Sequence, residues 1–159
     1  MKPLLTRDFV AETMKEWGTA EQVRHNRIRI TATPETVRTA ITNARELLEC
    51  DRLITISAVD NGKTLELVYH LTGPHRSVIS IAIELPRDKP EVPTMSDLLP
   101  PAGIYERQIH DLLGIVFLGH PDLKRIMLNE DWPLEEYPLR KDWKKDPGTF
   151  YGGIPGERI

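Results

Sequence analysis

The feature that most constrains this fold is a run of three segments between residues 53 and 85 in which apolar side chains alternate with polar or small ones. Such alternation places successive side chains on opposite faces of a β-strand and is typical of antiparallel strands with one buried face. Asn61-Gly62 separates the first two segments, and this pair tolerates the positive φ angles of a type I′ turn. The sequence therefore predicts a β-hairpin followed by a third strand, with Ile79, Ile81, Ile83 and Leu85 on one face and Ser80, Ala82 and Glu84 on the other.

Two helical segments and one further strand precede these runs. Thr6 or Asp8 is suited to cap a first helix that runs to about Trp17. Residues 23–30 are predicted as a strand, and Thr33-Pro34 provides the N-cap and first position of a second helix with a clear apolar stripe. Helices packed on one face of a mostly antiparallel sheet of about four strands are the simplest way to bury these side chains, so we expect an α+β fold.

A third helix is predicted from Tyr105 to Leu113. Gly114 is expected to end it, because glycine readily adopts the positive φ of a helix C-cap. Apolar side chains recur every three or four residues along one side of this helix. We expect the other side to be an exposed polar face on which Arg107 and Asp111 are spaced to pair; it carries Glu106, Arg107, His110 and Asp111.

The segment after this helix is rich in glycine, proline and aromatic residues. Its first part is a turn in which Pro121 holds His120 extended, between Gly119 and Asp122. So many prolines leave few ladder hydrogen bonds, and we expect the segment to run extended over a surface. Exposed aromatic side chains favour a covering partner, and the predicted interface residues are Trp132, Tyr137, Arg140, Lys141, Asp142 and Trp143.

These patterns predict two parts in the chain. Residues 1–114 form an α/β core domain that includes the third helix, and residues 115–159 form an extended, partner-wrapping segment with a C-terminal tail. Residues 147–156 hold four glycines and two prolines, so we expect the tail to be disordered unless it is bound.

Composition argues against several classes of function. Lys and Arg (21) do not outnumber Asp and Glu (24), so nucleic-acid binding has no support. Cys50 is the only cysteine, and we expect no cysteine-bound cluster in this chain. The apolar runs are far shorter than the roughly 20 residues of a spanning helix, and residues 1–7 lack the apolar core of a signal peptide. The expected location is the cytosol or the cytoplasmic side of a membrane.

Two histidines are candidates for chemistry. Glu106 and His110 lie four residues apart, a spacing that can bind a metal, but further ligands with a clear motif are missing and an ion-paired surface is favoured. His120 is suited to catalysis or, as we favour, to a fixed hydrogen bond that holds its turn. Two other functions stay open: a stand-alone acid–base enzyme that uses His110, Asp111 and His120, and an adaptor that binds several partners.

Residues 106–126, ERQIHDLLGIVFLGHPDLKRI, followed by Asp131-Trp132 and by PLRKD at 138–142, resemble the signature of the NADH dehydrogenase 30 kDa subunit family. That family includes a subunit of respiratory complex I and its relatives in membrane-bound, energy-converting nickel–iron hydrogenases. The chain departs from the family pattern at Gln108, Leu113 and Glu136 and again after the PLRKD run. These departures favour the hydrogenase-type relatives.

The resemblance implies a non-catalytic, cofactor-free peripheral subunit of a ferredoxin-linked membrane complex that is coupled to ion translocation. It implies docking on a large subunit similar to nickel–iron hydrogenases, beside an iron–sulfur subunit, with the nickel–iron and iron–sulfur centres in those partners. Residues 132–143 and the tail would lie on the large subunit. The residues that would shape the subunit itself are Glu106, Arg107, His110, Asp111, Gly114, Gly119, His120, Pro121 and Asp122. The alternative is the 30 kDa subunit of NADH:quinone oxidoreductase, complex I.

Overall fold

The computed structural model describes residues 2–144, so the predicted tail at 147–156 lies outside the described residues. Within this range the elements follow in the order α1 (Arg7–Met14), β1 (Thr19–Arg24), β2 (Arg27–Thr31), α2 (Val37–Leu47), β3 (Arg52–Asp60), β4 (Thr64–Thr72), β5 (Val78–Pro86), β6 (Glu91–Pro93), α3 (Ala102–Leu113) and β7 (Val116–Leu118).

The main sheet has five strands in the order β1-β2-β5-β4-β3. β2 and β5 pair in parallel, and the other neighbours are antiparallel. The predicted α+β class with a mostly antiparallel sheet is therefore confirmed. The strand count rises from four to five because the region predicted as one strand at 23–30 is a hairpin, in which β1 and β2 pair with Thr19 opposite Thr31.

The predicted hairpin between β3 and β4 is present, but its turn is not type I′. Three residues connect the strands, and the Asn61 N–H donates to the carbonyl oxygen of Thr64 at 3.0 Å. Among the residues of this turn only Gly62 has a positive φ, of 88°, whereas a type I′ turn needs two. The Gly62 N–H donates to the Asp60 carboxylate at 2.7 Å, so a side chain closes the turn.

The predicted Thr6 cap of α1 is present, but the end of α1 and the starts of α2 and α3 differ from the predictions by a few residues. α1 begins after Thr6, whose hydroxyl accepts from the Phe9 N–H, and it ends at Met14 rather than near Trp17. α2 begins at Val37, three residues later than Pro34, because Thr33 and Thr36 bond to each other in a preceding turn. α3 begins at Ala102.

The core lies where the helices cover one face of the main sheet. Cross-strand pairs such as Leu67 with Ile83 and Tyr69 with Ile81 are fully buried there, together with the apolar sides of the helices. Ser80 and Ala82, predicted on the polar face, are also buried, since β5 has a strand on either side. Cys50 belongs to this core, where burial raises the pKa of its thiol to about 12.

A second, two-stranded sheet positions the candidate site. β6 and β7 pair in parallel, with Val92 opposite Phe117, and α3 makes the connection between them. Ile115 and Phe117 belong to the same buried cluster as the main sheet, so the core continues past residue 114; the division at that residue stays a prediction. Between residues 2 and 144, the helices are all too short or too polar to cross a bilayer.

Candidate functional site

The candidate site is built on α3, and its polar side is not the exposed face that the sequence predicts. Glu106 is completely buried and Asp111 is nearly so. The chain after β7 returns along this side of the helix and covers it. Arg107 bonds to that chain rather than to Asp111, so the predicted pair between them is wrong.

Glu106 connects α3 to the turn that follows β6. Its carboxylate accepts hydrogen bonds from the Thr94 hydroxyl and, at 2.7 Å, from the Met95 N–H. Burial raises the pKa of this carboxyl, and the two hydrogen bonds oppose that shift. Because both bonds come from the chain itself, Glu106 acts here as a structural acceptor.

His120 connects the turn after β7 to the start of α3. Its Nε2–H donates to the Gly103 carbonyl oxygen at 3.1 Å, and its Nδ1 accepts from the Asp122 N–H at 3.0 Å. These two bonds select the neutral tautomer that carries its proton on Nε2. The Glu106 carboxylate lies 3.9 Å from Nε2, so the two groups are close but not directly bonded.

Asp111 and Arg107 hold the loop at residues 124–128. One oxygen of Asp111, Oδ2, accepts from three successive N–H groups, those of Ile126, Met127 and Leu128, at 3.1, 2.8 and 2.8 Å. The Arg107 guanidinium donates to the carbonyl oxygens of Lys124 and Arg125, each at 3.0 Å. The side chains of α3 thus provide the hydrogen bonds that a strand ladder would otherwise provide.

Arg125 and His110 complete this support. The Arg125 guanidinium donates to the carbonyl oxygens of Asn129, Trp132 and Pro133 and lies 3.7 Å from Asp111. His110 donates through Nδ1 to the carbonyl oxygen of Ile115 at 2.9 Å. Each of these groups therefore bonds within the chain.

The C-terminal end of α3 receives the predicted interface residues Tyr137 and Arg140. Gly114 caps the helix with a φ of 74°, as predicted, and a Cβ there would collide with the Tyr137 ring. The Arg140 guanidinium lies 4.7 Å from the centre of that ring and donates through Nε to the carbonyl oxygen of Leu113 at 2.8 Å. A cation at a helix C-terminus is also favoured by the helix dipole.

Asp60, at the end of β3, binds the same C-terminal region. Its side chain is only 1% exposed and forms an ion pair with Arg87 at 2.7 Å. Arg87 also pairs with Asp142 at 2.6 Å, and the Lys141 N–H donates to Asp60 at 2.7 Å. The Arg87 guanidinium holds the pKa of Asp60 well below its usual range. Neither Asp60 nor Arg87 stands out in the sequence, where they resemble an ordinary turn residue and an ordinary linker residue.

The remaining predicted interface residues, Trp132 and Trp143, stack on each other with ring centres 5.8 Å apart. The indole N–H groups of both donate to Glu136, one to its backbone oxygen and one to its carboxylate. The aromatic rings are half-buried by this chain, and Lys141 and Asp142 are exposed. Their contact with a partner stays a prediction.

The large apolar side chains that this segment exposes were not selected from the sequence. Leu134 is 83% exposed, and three others are between 43% and 57% exposed. We call the four residues the outer apolar set: Ile126, Met127, Leu134 and Leu139. All four lie on the chain that the polar side and the C-terminal end of α3 hold in place. No periodic pattern distinguishes them in the sequence.

The three groups of the acid–base hypothesis are divided between two cavities. His110 and Asp111 line a cavity of about 660 Å³ beside Leu134 and Tyr137. His120 lines another, of about 690 Å³, beside Arg38 and Asp97. Within residues 2–144, no three His, Cys, Asp or Glu side chains are grouped closely enough to hold a metal ion. This geometry favours a structural use of the motif over catalysis.

Relatives of this chain are known from sequence. An NADH-quinone oxidoreductase subunit of Moorella thermoacetica is 39% identical over 107 residues, which cover 65% of this chain and 71% of that protein. An F(420)H(2) dehydrogenase subunit of Methanosarcina mazei is 40% identical over 103 residues, which cover 63% of this chain and 65% of that protein.

A similar fold occurs in a solved structure of the membrane-bound sulfane sulfur reductase, an archaeal respiratory membrane complex. The TM-score is 0.64 at 24% identity, and the alignment covers 86% of this chain and 84% of that one. At this identity the likeness shows the fold alone. Residues 30–148 also match the family described as "Respiratory-chain NADH dehydrogenase, 30 Kd subunit". This match spans more than half of the chain, and the protein therefore belongs to the respiratory-chain NADH dehydrogenase 30 kDa subunit family.

Proposed function

We propose that this chain is a non-catalytic, peripheral subunit of a membrane-bound redox complex and that residues 119–144 form its docking surface for a large, hydrogenase-like subunit. Membership of the 30 kDa subunit family supports the type of complex. The names of the Moorella and Methanosarcina relatives, each a subunit of an oxidoreductase or a dehydrogenase, support a role as one subunit among several.

One observation carries the docking proposal: charged side chains bind the backbone of the segment, while four of its large apolar side chains remain exposed. The backbone of the segment is held by hydrogen bonds between its peptide groups and the side chains of Arg107, Asp111 and Arg125. The four side chains of the outer apolar set are between 43% and 83% exposed to solvent. Apolar side chains on a firmly held loop are typical of a surface that another protein covers.

The hydrogenase-type version of this complex is the one we favour. It is ferredoxin-linked and coupled to ion translocation, lies on the cytoplasmic side of the membrane, and holds its nickel–iron and iron–sulfur centres in the large and neighbouring iron–sulfur subunits. The departures at Gln108, Leu113 and Glu136 support this choice. The second candidate is a subunit of NADH:quinone oxidoreductase, which the name of the Moorella relative favours.

A stand-alone acid–base enzyme is less well supported by the geometry. Both nitrogens of His120 are engaged with this chain, and its side chain is only 3% exposed. His110 donates to its own backbone, and Asp111 accepts three backbone N–H groups. A general acid or base needs access to substrate within hydrogen-bonding distance, which these contacts oppose.

The docking surface is tested by placing charge on it. In the tagged chain, we expect Leu134→Glu combined with Leu139→Glu to lower co-purification of the large subunit from solubilised membranes by at least about tenfold, because a carboxylate would be buried without a partner. Phe9→Glu is the matched control, since Phe9 is 50% exposed on α1. Full retention of the large subunit in the double variant, or equal loss in the control, would contradict the proposal.

The co-purified large subunit also separates the two candidates. Mass spectrometry identifies its sequence, and paired C-x-x-C motifs near both of its ends are expected for a nickel–iron hydrogenase. A related subunit in which these cysteine pairs are altered or missing favours NADH:quinone oxidoreductase or another relative without the nickel site. Recovery of the chain alone, with no large subunit, would count against both.

A further inference from the structure

We propose that Asp60 and Arg87 form a clasp that fixes the path of the segment at residues 119–144 and so presents the outer apolar set to the large subunit. Neither residue belongs to the motif that resembles the family signature. They act as positioning residues for docking, and the inference therefore rests on the proposed function. Within the segment, these two residues bind the Asp142 side chain and the Lys141 N–H.

The Asp60 carboxylate accepts four hydrogen bonds. Arg87 donates to both of its oxygens, through Nη2 at 2.7 Å and Nε at 3.3 Å. The N–H groups of Gly62 and Lys141 each donate at 2.7 Å. The first three bonds come from the main domain, and the fourth comes from a residue 81 positions further along the chain. A buried carboxylate with this many donors strongly favours one geometry.

Arg87 provides the second half of the clasp. Its Nη1 and Nη2 donate to the two oxygens of Asp142 at 3.1 and 2.6 Å, so one guanidinium lies between two carboxylates. The carbonyl oxygen of Arg87 also accepts from the Arg140 guanidinium at 3.3 Å. Three successive residues of the segment, 140 to 142, are thereby bound to Asp60 or Arg87.

The clasp influences the outer apolar set through Trp143. This residue follows Asp142 directly and stacks on Trp132. The carbonyl oxygen of Trp132 accepts from Arg125, which also binds residues 129 and 133, so the loop that carries Leu134 is linked to the end of the segment. On the other side of the clasp, the Leu139 N–H donates to the carbonyl oxygen of residue 112 at 3.1 Å. Releasing residues 140–142 would therefore loosen both ends of the exposed surface.

The decisive variant is Asp60→Asn, because the buried Asp60 side chain is not available to touch a partner. The first measurement is hydrogen exchange of the Lys141 amide in the purified chain, which we expect to become faster by at least about tenfold when its charged acceptor is lost. The second is co-purification of the large subunit with the tagged chain, which we expect to fall by about tenfold. Asp97→Asn is the control, since Asp97 makes a similar two-bond contact with Arg38 and does not bond to residues 140–142.

Substitutions at the exposed position 142 provide a second test in case Asp60→Asn speeds hydrogen exchange throughout the sheet. Asp142→Arg places a second cation against Arg87, and Asp142→Glu keeps the charge; the Asp142 side chain is 67% exposed, so both leave the core intact. We expect Asp142→Arg to speed Lys141 exchange in the isolated chain at an unchanged melting temperature, whereas Asp142→Glu keeps the original exchange rate. For these variants the exchange rate is the deciding measurement, since Asp142 is itself a predicted interface residue.

Unchanged Lys141 exchange in Asp60→Asn, or faster exchange with the large subunit fully retained, would overturn the clasp. These outcomes can be told apart from the case in which the docking proposal itself is wrong. In that case the Leu134→Glu, Leu139→Glu double variant retains the large subunit, while the exchange measurement on the isolated chain still reports whether the clasp holds residues 140–142.

Discussion

The main sheet and the segment at residues 119–144 are stabilised in different ways. In the sheet, buried apolar pairs and continuous strand ladders provide most of the contacts, as between β4 and β5. In the segment, charged side chains bond to backbone groups, as Asp111 does to three N–H groups. The sheet therefore depends on volume and hydrophobicity, and the segment depends on individual carboxylates and guanidinium groups.

Because of this difference, the contacts that fold the main sheet are not the contacts that keep the apolar side chains of the segment exposed. A polar support can hold a loop whose own apolar side chains are turned outward, because the support needs no apolar surface from that loop. Leu134 and Met127 are exposed for this reason, although a loop packed by hydrophobic burial would have placed them inside. The two regions should respond to different substitutions.

The largest expected effect is global loss of stability after Ile81→Ala. Ile81 is fully buried in β5, with strands on both sides. We expect the free energy of unfolding to fall by about 2–5 kcal/mol in urea denaturation. Val59→Ala, at a side chain that is 48% exposed, is the control and should change it by less than about 0.5 kcal/mol. Equal losses in both variants would contradict the assignment of the core.

A local effect is expected from Asp111→Ala. Removal of this carboxylate leaves three N–H groups without their acceptor, at a cost of about 1–3 kcal/mol. Hydrogen exchange should become faster at residues 126–128, while amides of β4 and β5 keep their protection. Asp122→Ala is the matched control, because the Asp122 carboxylate forms an ion pair with Lys124 at the surface. Loss of protection in the sheet would show that the two regions unfold together.

Gly114→Ala and Gly62→Ala separate backbone strain from a steric collision. Both glycines have a positive φ, which costs an alanine about 1–2 kcal/mol. The added Cβ meets the Tyr137 ring at position 114 and nothing within 4 Å at position 62. Thermal unfolding should therefore show the greater loss for Gly114→Ala, and the difference measures how firmly Tyr137 is held. Equal melting temperatures would indicate that the ring moves aside freely.

The smallest effect concerns pH, and two carboxylates should act in opposite directions. The pKa of Asp60 is lowered, chiefly by its hydrogen bonds from Arg87, so its contribution to stability is present above about pH 4 and is lost as the pH falls through the folded value. The pKa of Glu106 is raised by burial, so its contribution is present below about pH 4.3 and is lost as the pH rises.

Unfolding measured from pH 6 to pH 3 checks these signs. Asp60→Asn should make the acid loss of stability shallower, and Glu106→Gln should make it steeper, because the amide side chains do not titrate. Changes of the same sign in both variants would show that one of the two carboxylates has been assigned wrongly.

The parts of this fold that sequence predicted are those with a local pattern. Alternation identified β4 and β5, an apolar stripe identified α2, and Gly114 marked the end of α3 because a positive φ there suits glycine. The hairpin of β1 and β2 was missed because its turn, at His25-Asn26, lacks the glycine that marked the turn at Gly62.

The polar contacts of the site were not predictable in the same way. Glu106 and Asp111 have the spacing of an exposed helix face, and their burial depends on backbone N–H groups, which every residue type except proline carries. The pairing of Asp60 with Lys141 joins positions 81 residues apart, and no local pattern records such a distance.

Cys50 gives this protein a practical property. It is the only sulfhydryl of the chain, it is completely enclosed, and at neutral pH almost none of it is in the reactive anionic form. Maleimides and spin labels should therefore leave the native protein unmodified. A Leu134→Cys variant would then carry a single addressable attachment point, from which photo-crosslinkers can map the neighbouring subunit.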